Sequence, residues 1–431
     1  MTERKNPIGN VAVLGAADLP GLIARLDAML DAAQAGTFPA RQPPPPQDLT
    51  AAERIVIEFE HPDTLIERLV QARQALQTNA QVDWKRLEGR GIYRGSGAPG
   101  RVAFLFGGQG AQYVNMLREL HDGEPSVAET FAQADDVLMP ILGRPLSTFI
   151  LVDTPDKATL EAAEERLRDT RITQPAVLTV DVALFRLLQD YGIIPNLLIG
   201  HSLGEYAALV AAGTLTFADA LRVVNARGQA MCQVVQADNG TMAAIMASAE
   251  EVAHILNKVE GYVVTCNVNS RRQVVIGGET AAVERAVAAF AAAGIRAVPL
   301  AVSHAFHTRI VQGAAIPLRA AIARCMLKSP ALPVISNVTG EPYPADPAQI
   351  GALLERQIYS PVQFVRGIET LYAQGARVFV EVGPKRVLSA FVEEILAGHD
   401  DVRVVHTNHP RRGAIVSFHQ AMCALYAAGL G

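Results

Sequence analysis

The sequence is poor in the residue types that mark several protein classes. It has only four cysteines in 431 residues, and their wide spacing fits neither a zinc site nor a dense disulfide framework. The formal net charge of −5 includes no basic excess, so nucleic acid is not expected as a partner. Charged residues or helix breakers interrupt each long apolar run, and no apolar signal peptide opens the chain. We therefore expect a cytoplasmic protein without a membrane span.

Half of the residues are apolar and 19% are charged, which is enough for a substantial core and for two or three structural units. The N-terminal part predicts an α/β unit, with strands at residues 11–14 and 54–60, an amphipathic helix after the first strand and a second helix at 63–75. Four successive prolines at 43–46 predict a stiff connector. The Gly-rich stretch 91–100 predicts a boundary, because it offers little to bury.

Two later segments each run from an apolar strand directly into a glycine-rich turn. Residues 102–106 lead into the turn 107–110, and residues 197–199 lead into the turn 200–204. Transitions of this kind are typical of a buried parallel sheet. The sequence therefore predicts an α/β domain from residue 101 onward.

Residues 240–303 show a different order of elements. Hydrophobic periodicity predicts the order β-α-β-β-α-β, which is the ferredoxin-like pattern. We interpret this region as a small inserted subdomain. The alternative is that these elements extend the main sheet.

The turn 200–204 has the pattern G-x-S-x-G, with an apolar strand before it and a helix after it. In that context the serine takes a strained backbone conformation and exposes its hydroxyl above a helix N-terminus. Ser202 is therefore a candidate nucleophile, and the alternative is a glycine-flanked serine that only forms a turn. Sequence spacing does not choose a base among the ten histidines.

Five ordered motifs resemble those of malonyl-CoA:acyl carrier protein transacylases and of the acyltransferase domains of type I polyketide and polyunsaturated fatty acid synthases. The resemblance covers about residues 100–395, and its motifs are FGGQGAQ at 106–112, GHSLGEY at 200–206, RG at 227–228, HAFH at 304–307 and EVGP at 381–384. Gly107 departs from the proline that is usual in the family. It lies on the turn, so we expect a looser backbone there and unchanged chemistry.

The resemblance implies a fold class and a domain organisation. The fold is α/β, with a hydrolase-like parallel-sheet core, an inserted ferredoxin-like subdomain and an N-terminal α/β linker domain. The domains expected from it are a ketosynthase-to-acyltransferase-type linker at 1–98, the core at 99–236 and 304–395, the ferredoxin-like subdomain at 237–303 and a post-acyltransferase linker at 396–431.

The resemblance also implies the catalytic roles. Ser202 would accept the acyl group and His307 would be its base, with the second ring nitrogen of the histidine held by a backbone carbonyl in the region of Asn337. The main-chain N–H groups of Gln109 and Leu203 would form the oxyanion hole. A third carboxylate would not be required.

Substrate-binding residues follow from the same resemblance. Arg227, expected on the helix after the next strand-like segment, would bind a substrate carboxylate with its planar fork, although most arginines are surface charges. Because HAFH resembles the malonyl-selecting version of its motif, the expected acyl group is malonyl. Gln174, His304 and Phe306 would line the acyl pocket, and His201 would pack beside the nucleophile.

The function implied is transfer of malonyl from malonyl-CoA to the phosphopantetheine thiol of an acyl carrier protein through a Ser202 ester, with neighbouring ketosynthase and other synthase domains as further partners. No cofactor or metal is expected, because P-loop, dinucleotide and H-E-x-x-H patterns are missing. One alternative is a serine esterase or thioesterase of the α/β-hydrolase type, with a carboxylate such as Asp238 behind the histidine. Another is a docking module without activity.

Overall fold

The structure is a computed structural model that describes residues 4–78, 82–153, 156–234 and 237–431. The predicted start of the linker at residue 1 and the predicted end of the first core segment at residue 236 lie outside the described residues. The elements below are numbered in chain order.

The strands are β1 Val11–Ala16, β2 Glu53–Glu58, β3 Ile92–Ser96, β4 Arg101–Phe106, β5 Leu197–Gly200, β6 Thr241–Ile245, β7 Val263–Ser270, β8 Gln273–Gly278, β9 Ala297–Pro299, β10 Val334–Ile335, β11 Val362–Gln363, β12 Ala376–Val382 and β13 Arg403–His406.

The helices of the first half are α1 Leu19–Gln34, α2 Pro46–Leu49, α3 Pro62–Gln77, α4 Trp84–Glu88, α5 Arg118–Gly123, α6 Pro125–Leu142, α7 Ser147–Ile150, α8 Lys157–Arg168, α9 Thr170–Asp190, α10 Gly204–Ala211 and α11 Phe217–Gln233. Those of the second half are α12 Ala249–Leu256, α13 Thr280–Ala292, α14 Ala315–Ile322, α15 Pro347–Gln357, α16 Phe364–Ala373, α17 Leu388–Ile395 and α18 Ala414–Ala428, with a 3₁₀ helix at Arg309–Ala314.

The N-terminal region is an antiparallel sheet in the order β1-β2-β3, and helices α1 and α3 pack against it. The stretch 91–100, predicted as a boundary with little to bury, instead contains β3, where Ile92 and Tyr93 are buried. The proline run does not stay extended to its end, because Pro46 begins α2. Proline is tolerated at the first position of a helix, where its missing N–H needs no partner. The expectation of little to bury was therefore wrong at residues 92 and 93, and the proline run is not an extended connector to its end. Residues 97–100 nevertheless separate the N-terminal sheet from the main sheet.

The main sheet is parallel throughout, in the order β10-β5-β4-β12-β13. Its central strands β4, β5 and β12 are buried on both faces, which explains their continuous apolar sequences. Helices α9 and α11 belong to the layer on one face, and α16 and α17 pack on the other. The predicted α/β fold with a parallel-sheet core is therefore confirmed.

A second sheet, in the order β11-β7-β8-β6-β9, lies next to the core. Strands β6, β7, β8 and β9 pair antiparallel, and β11 joins β7 in parallel. One face is covered by α12 and α13 through residues such as Val252 and Phe290. The other face presents Met242, Ala244 and Val275, which belong to a separate hydrophobic cluster.

The carboxyl ends of the parallel strands all meet at one edge of the main sheet. The loop after β4, the turn after β5, the segment after β10 and the segment after β12 therefore lie close together, as expected for the ligand-binding edge of an open α/β sheet. Among the residues that the structure describes, no helix combines the length and the hydropathy needed to cross a lipid bilayer.

Candidate active site

The turn between β5 and α10 holds Ser202 in a left-handed backbone conformation, with φ of 52°. For a residue with a side chain this conformation is strained, and such strain is common at functional sites. Gly204 makes the turn possible, because a Cβ at this position would lie 2.1 Å from the carbonyl oxygen of Phe106. The turn therefore packs directly against the end of β4.

The hydroxyl of Ser202 lies 2.8 Å from Nε2 of His307. On the other side of the ring, Nδ1 donates to the main-chain oxygens of Gln357 at 3.0 Å and Ser360 at 3.1 Å. Since Nδ1 carries the proton, Nε2 is free to accept one. Burial and, next in size, the nearby guanidinium of Arg227 together lower the pKa of His307 to about 3, so the imidazole is neutral near pH 7.

Asn337 does not have the role in orienting His307 that was predicted from the sequence. The carbonyls that orient His307 belong to Gln357 and Ser360, so the expected carbonyl near Asn337 is a wrong prediction. The Asn337 side chain instead accepts from the N–H of Ser202 at 2.5 Å and donates to the oxygen of Gly200 at 2.6 Å. It therefore holds the serine turn in place and is not among the hydrogen-bond partners of the His307 ring.

The loop after β4 brings main chain to the serine turn. A Cβ on Gly108 would lie 2.6 Å from the oxygen of His201, so this approach requires glycine. The side chain of Gln109 donates to Thr170 Oγ1 at 3.2 Å, away from its own main-chain N–H. In the described part of the chain, neither the N–H of Gln109 nor that of Leu203 has an intramolecular acceptor.

A cavity of about 390 Å³ lies between the core and the second sheet. Ser202, His307 and Arg227 line it together with Phe306. Its opposite wall is the face of the second sheet that points away from α12 and α13, and this wall includes Met242, Ala244 and Val275. The cavity is mainly apolar. It brings together three predicted residues that are far apart in the sequence: the nucleophile Ser202, the base His307 and the cation Arg227.

Arg227 is only 3% exposed. Its Nη2 donates to the side-chain oxygen of Gln357 at 3.3 Å, whereas its Nε has no partner among the described residues. Its guanidinium also lies 5.9 Å from the ring centroid of Tyr206. The predicted strand-like segment before its helix is absent, because residues 212–216 form a turn between α10 and α11.

Two predicted pocket residues do not reach the cavity, and these predictions were wrong. Gln174 is fully buried behind Met231 and donates to its sulfur at 3.5 Å, so Met231 lines the cavity in its place. The ring of His304 contacts Ser303 Oγ at 3.0 Å and the oxygen of Val234 at 3.1 Å, and both contacts turn it away from the cavity.

His201 borders the cavity at the junction with the second sheet. Its Nε2 lies 2.8 Å from Oδ1 of Asn269 in β7, and its ring packs edge-on against Phe364. Burial lowers its pKa. His201 therefore links the serine turn to the second sheet.

Sequence reasoning missed two residues next to the catalytic pair, Glu205 and Gln357. Glu205 is fully buried and accepts hydrogen bonds from Asn337, Tyr343 and Gln357. It stands within the GHSLGEY motif, so a signal for it existed in the sequence. Gln357, at the end of α15, belongs to no motif, and only the fold brings it to the site.

Asp238, the carboxylate that a hydrolase mechanism would place behind the histidine, binds other groups. Asp238 accepts from the N–H of Gly240 at 2.8 Å and from the N–H and hydroxyl of Thr280, both at 2.7 Å. These bonds lower its pKa and fix it at the beginning of α13. Nδ1 of His307 faces main-chain oxygens instead of a carboxylate.

Comparison with known proteins places the chain among acyl transferases. The family model described as acyl transferase domain matches residues 103–429. The malonyl CoA-acyl carrier protein transacylase of Bacillus subtilis is 39% identical over 300 residues, covering 68% of this chain and 90% of that protein. The enzyme of the same name from Salmonella typhimurium is 42% identical over 301 residues, covering 69% of this chain and 93% of that protein.

Solved structures agree with this similarity. A malonyl-transacylase in complex with a type II polyketide synthase acyl-carrier protein, PlMCAT:AntF, is 35% identical with a TM-score of 0.66, covering 74% of this chain and 99% of that chain. The acyltransferase domain from the second module of the salinomycin polyketide synthase is 31% identical with a TM-score of 0.74. This second match covers 97% of this chain and 93% of that domain, so it extends beyond the residues matched by the family model.

Proposed function

The chain belongs to the acyl transferase domain family, and from this membership we propose that it moves a malonyl group from coenzyme A to the phosphopantetheine thiol of an acyl carrier protein. The observation that carries the proposal is the meeting of Ser202, His307 and the buried Arg227 at one cavity. Synthase domains such as a ketosynthase are further partners, since polyketide synthases are among the relatives.

The first half of the reaction forms an ester on Ser202. Neutral His307 takes the hydroxyl proton while the serine oxygen attacks the thioester carbonyl. The N–H groups of Gln109 and Leu203 bind the oxygen that becomes negative, a contribution typically worth about 3 kcal/mol per donor. When the tetrahedral intermediate collapses, the carbon–sulfur bond breaks and the imidazolium returns its proton to the departing CoA sulfur.

The second half of the reaction runs through the same groups. His307 accepts the proton of the phosphopantetheine thiol, whose sulfur attacks the ester carbonyl. The bond to Ser202 then breaks, and the serine oxygen recovers a proton from the imidazolium. None of these steps uses a metal or an organic cofactor, and one group serves as base and acid in turn.

Arg227 selects an acyl group that carries a carboxylate. Its guanidinium is buried and makes one hydrogen bond to a neutral amide, with Nε left over. Burying a charge is costly unless the charge is paired. The carboxylate of malonyl supplies this pair, and the planar fork of arginine matches its two oxygens.

The proposal extends to the subdomains around the site. Residues 237–303 form a ferredoxin-like subdomain, which is supported by the strand order β9-β6-β8-β7 and by two helices on one face. Residues 99–236 and 304–395 are the catalytic core. Residues 1–98 and 396–431 are its two linkers, supported by the packing of α18 against β2 and β3.

A serine hydrolase is the second reading, and two observations disfavour it. His307 is oriented by main-chain carbonyls, and the cavity holds a cation suited to an acidic acyl group. A docking module without activity is disfavoured by the 2.8 Å contact between Ser202 Oγ and His307 Nε2.

Mass spectrometry of the intact protein tests the proposal. After mixing with malonyl-CoA, the wild type should carry one malonyl group on Ser202, and holo carrier protein should remove it faster than water does. Ser202→Ala should carry none, whereas Ser126→Ala, on helix α6, should behave as the wild type. Release of free malonate at the rate of adduct formation would identify a hydrolase, and the lack of an adduct would contradict the proposed activity.

A further inference from the structure

Glu205 is a buried carboxylate with no charged partner at ion-pair distance among the described residues. Its Oε1 accepts from the main-chain N–H of Asn337 at 2.7 Å and from the hydroxyl of Tyr343 at 3.0 Å. Its Oε2 accepts from Nε2 of Gln357 at 2.5 Å. Burial raises its pKa to about 7. Glu205 is therefore costly to bury, although it lies close to the nucleophile and does not line the cavity.

The amide of Gln357 joins this carboxylate to the reacting groups. Besides Glu205, its Nε2 also donates to the main-chain oxygen of Ser202 at 2.6 Å. Its Oε1 accepts from Nη2 of Arg227 at 3.3 Å. The main-chain oxygen of the same residue accepts from Nδ1 of His307 at 3.0 Å. Gln357 thus contacts the nucleophile, the base and the cation.

An amide can turn over and exchange its donor and acceptor ends, so its orientation must be set by its neighbours. Here the ionised carboxylate of Glu205 can only accept, which requires the NH₂ end of Gln357 to face it. The carbonyl end then faces the guanidinium of Arg227. The opposite orientation would point an NH₂ group at that cation and an oxygen at the oxygen of Ser202.

We propose that Glu205 is a positioning residue for acyl transfer, which fixes the amide of Gln357 and thereby aligns Arg227 and the Ser202–His307 pair. The inference rests on the proposed malonyl transfer and adds a residue that does not touch the substrate. Its effect should be larger for malonyl than for acetyl, since Arg227 contacts only the former.

Glu205→Gln is the informative substitution, because it keeps the size of the side chain. The fixed N–H of Asn337 requires an oxygen at the Oε1 position, so the new NH₂ group must face Nε2 of Gln357. Two donors then oppose each other, and Gln357 must turn over. Since a mismatched buried hydrogen bond is costly, we expect kcat/KM for malonyl-CoA to fall about tenfold, with a smaller fall for acetyl-CoA.

A double-mutant cycle with Gln357→Met tests whether Glu205 acts through Gln357. Methionine removes the amide but keeps the main-chain carbonyl that binds His307. The double variant should be no slower than the slower single variant. A loss equal to the product of the two single losses would show independent action and overturn the inference.

Two further variants separate positioning from general damage. Glu341→Gln, at an exposed glutamate that pairs with Arg366, should leave the kinetics unchanged. Tyr343→Phe removes a donor to Glu205 without touching Gln357. It should therefore lower the melting temperature, while the ratio of malonyl to acetyl transfer stays close to that of the wild type. An equal fall of this ratio in Tyr343→Phe and Glu205→Gln would overturn the inference.

The wild type serves as the reference for the proposed function. If it forms no malonyl ester, the proposed function itself fails. If it does, and Glu205→Gln stays within twofold of it for both acyl groups, only the role of Glu205 fails.

Discussion

Two arginines are buried in two different regions of the molecule, and they differ in what they bind. Arg54, in the N-terminal sheet, is 2% exposed, and Arg227, in the cavity wall, is 3% exposed. Arg54 donates Nε to the oxygen of Ala427 at 2.9 Å and Nη1 to the oxygen of Ala51. Arg227 makes one contact to the Gln357 amide and leaves Nε without a partner.

The difference separates a cation that is bound by main-chain oxygens from one with an unpartnered nitrogen, which is what the proposed carboxylate site requires. Ala427 lies in the last turn of α18, where carbonyls lack partners within the helix and attract positive charge. Arg54 therefore joins the N-terminal sheet to the C-terminal helix through two main-chain oxygens. Arg227 lines the cavity and has no main-chain acceptor, so an entering anion would offset more of its desolvation.

The strongest test of this difference is Arg227→Ala. We expect kcat/KM for malonyl-CoA to fall about a hundredfold or more, because the substrate carboxylate loses a buried charged partner. Acetyl transfer should be spared or raised, and the melting temperature should not fall. Arg222→Ala, at an exposed arginine on the same helix, is the control for both measurements. An unchanged preference for malonyl would show that Arg227 does not hold the carboxylate.

A carboxylate introduced into the cavity wall should give Arg227 a permanent protein partner, as Arg54 already has. Met231 lines the cavity one turn after Arg227 on α11, so the glutamate of Met231→Glu lies within reach of the guanidinium. We expect about a tenfold loss of kcat/KM for malonyl-CoA, since substrate and side chain compete for one cation. Acetyl transfer should change less. Met231→Gln has the same size without the charge, and an equal loss in this variant would refute the competition.

Arg54→Met should lower the stability of the protein and leave its activity nearly unchanged, which is the reverse of the result expected for Arg227→Ala. The free energy of unfolding should fall by about 2 kcal/mol, because the carbonyls of Ala427 and Ala51 lose a charged donor. Steady-state transfer of malonyl should stay within about twofold of the wild type. Urea titration followed by circular dichroism measures the first quantity, with Arg86→Met on the exposed helix α4 as the control. A large loss of activity in the folded variant would contradict a purely structural role.

Features that depend on neighbouring residues could be predicted from the sequence. Strands such as β4 and β5 are visible as apolar runs before glycine turns, and the turn itself identifies Ser202 as a candidate. Local chemistry determines these features. The parallel core was therefore predictable from neighbouring residues.

Contacts between distant segments were not predictable in this way. Gln357 lies 155 residues after Ser202 and carries no local signal. The family resemblance placed the carbonyl behind His307 near Asn337, because it supplied residue types without geometry. Gln174 and His304 were placed in the pocket for the same reason, although Met231 and the oxygen of Val234 hold them away from it.

The smallest expected effect concerns the pH profile, and it depends on the unpaired charge of Arg227. Burial lowers the pKa of His307 to about 3, with Arg227 as the next cause and His201 as a minor one. A base works in its neutral form, so a lowered pKa keeps it active at lower pH. In Glu205→Gln, where the buried carboxyl group cannot titrate, kcat/KM for acetyl-CoA, which has no carboxylate, should fall less than about twofold between pH 7 and pH 5. In Arg227→Ala the acid limb should move to higher pH, since a neighbouring cation has been removed. An acid limb near pH 7 that persists in Glu205→Gln would contradict this assignment, whereas one seen only in the wild type would belong to Glu205, whose pKa burial raises to about 7.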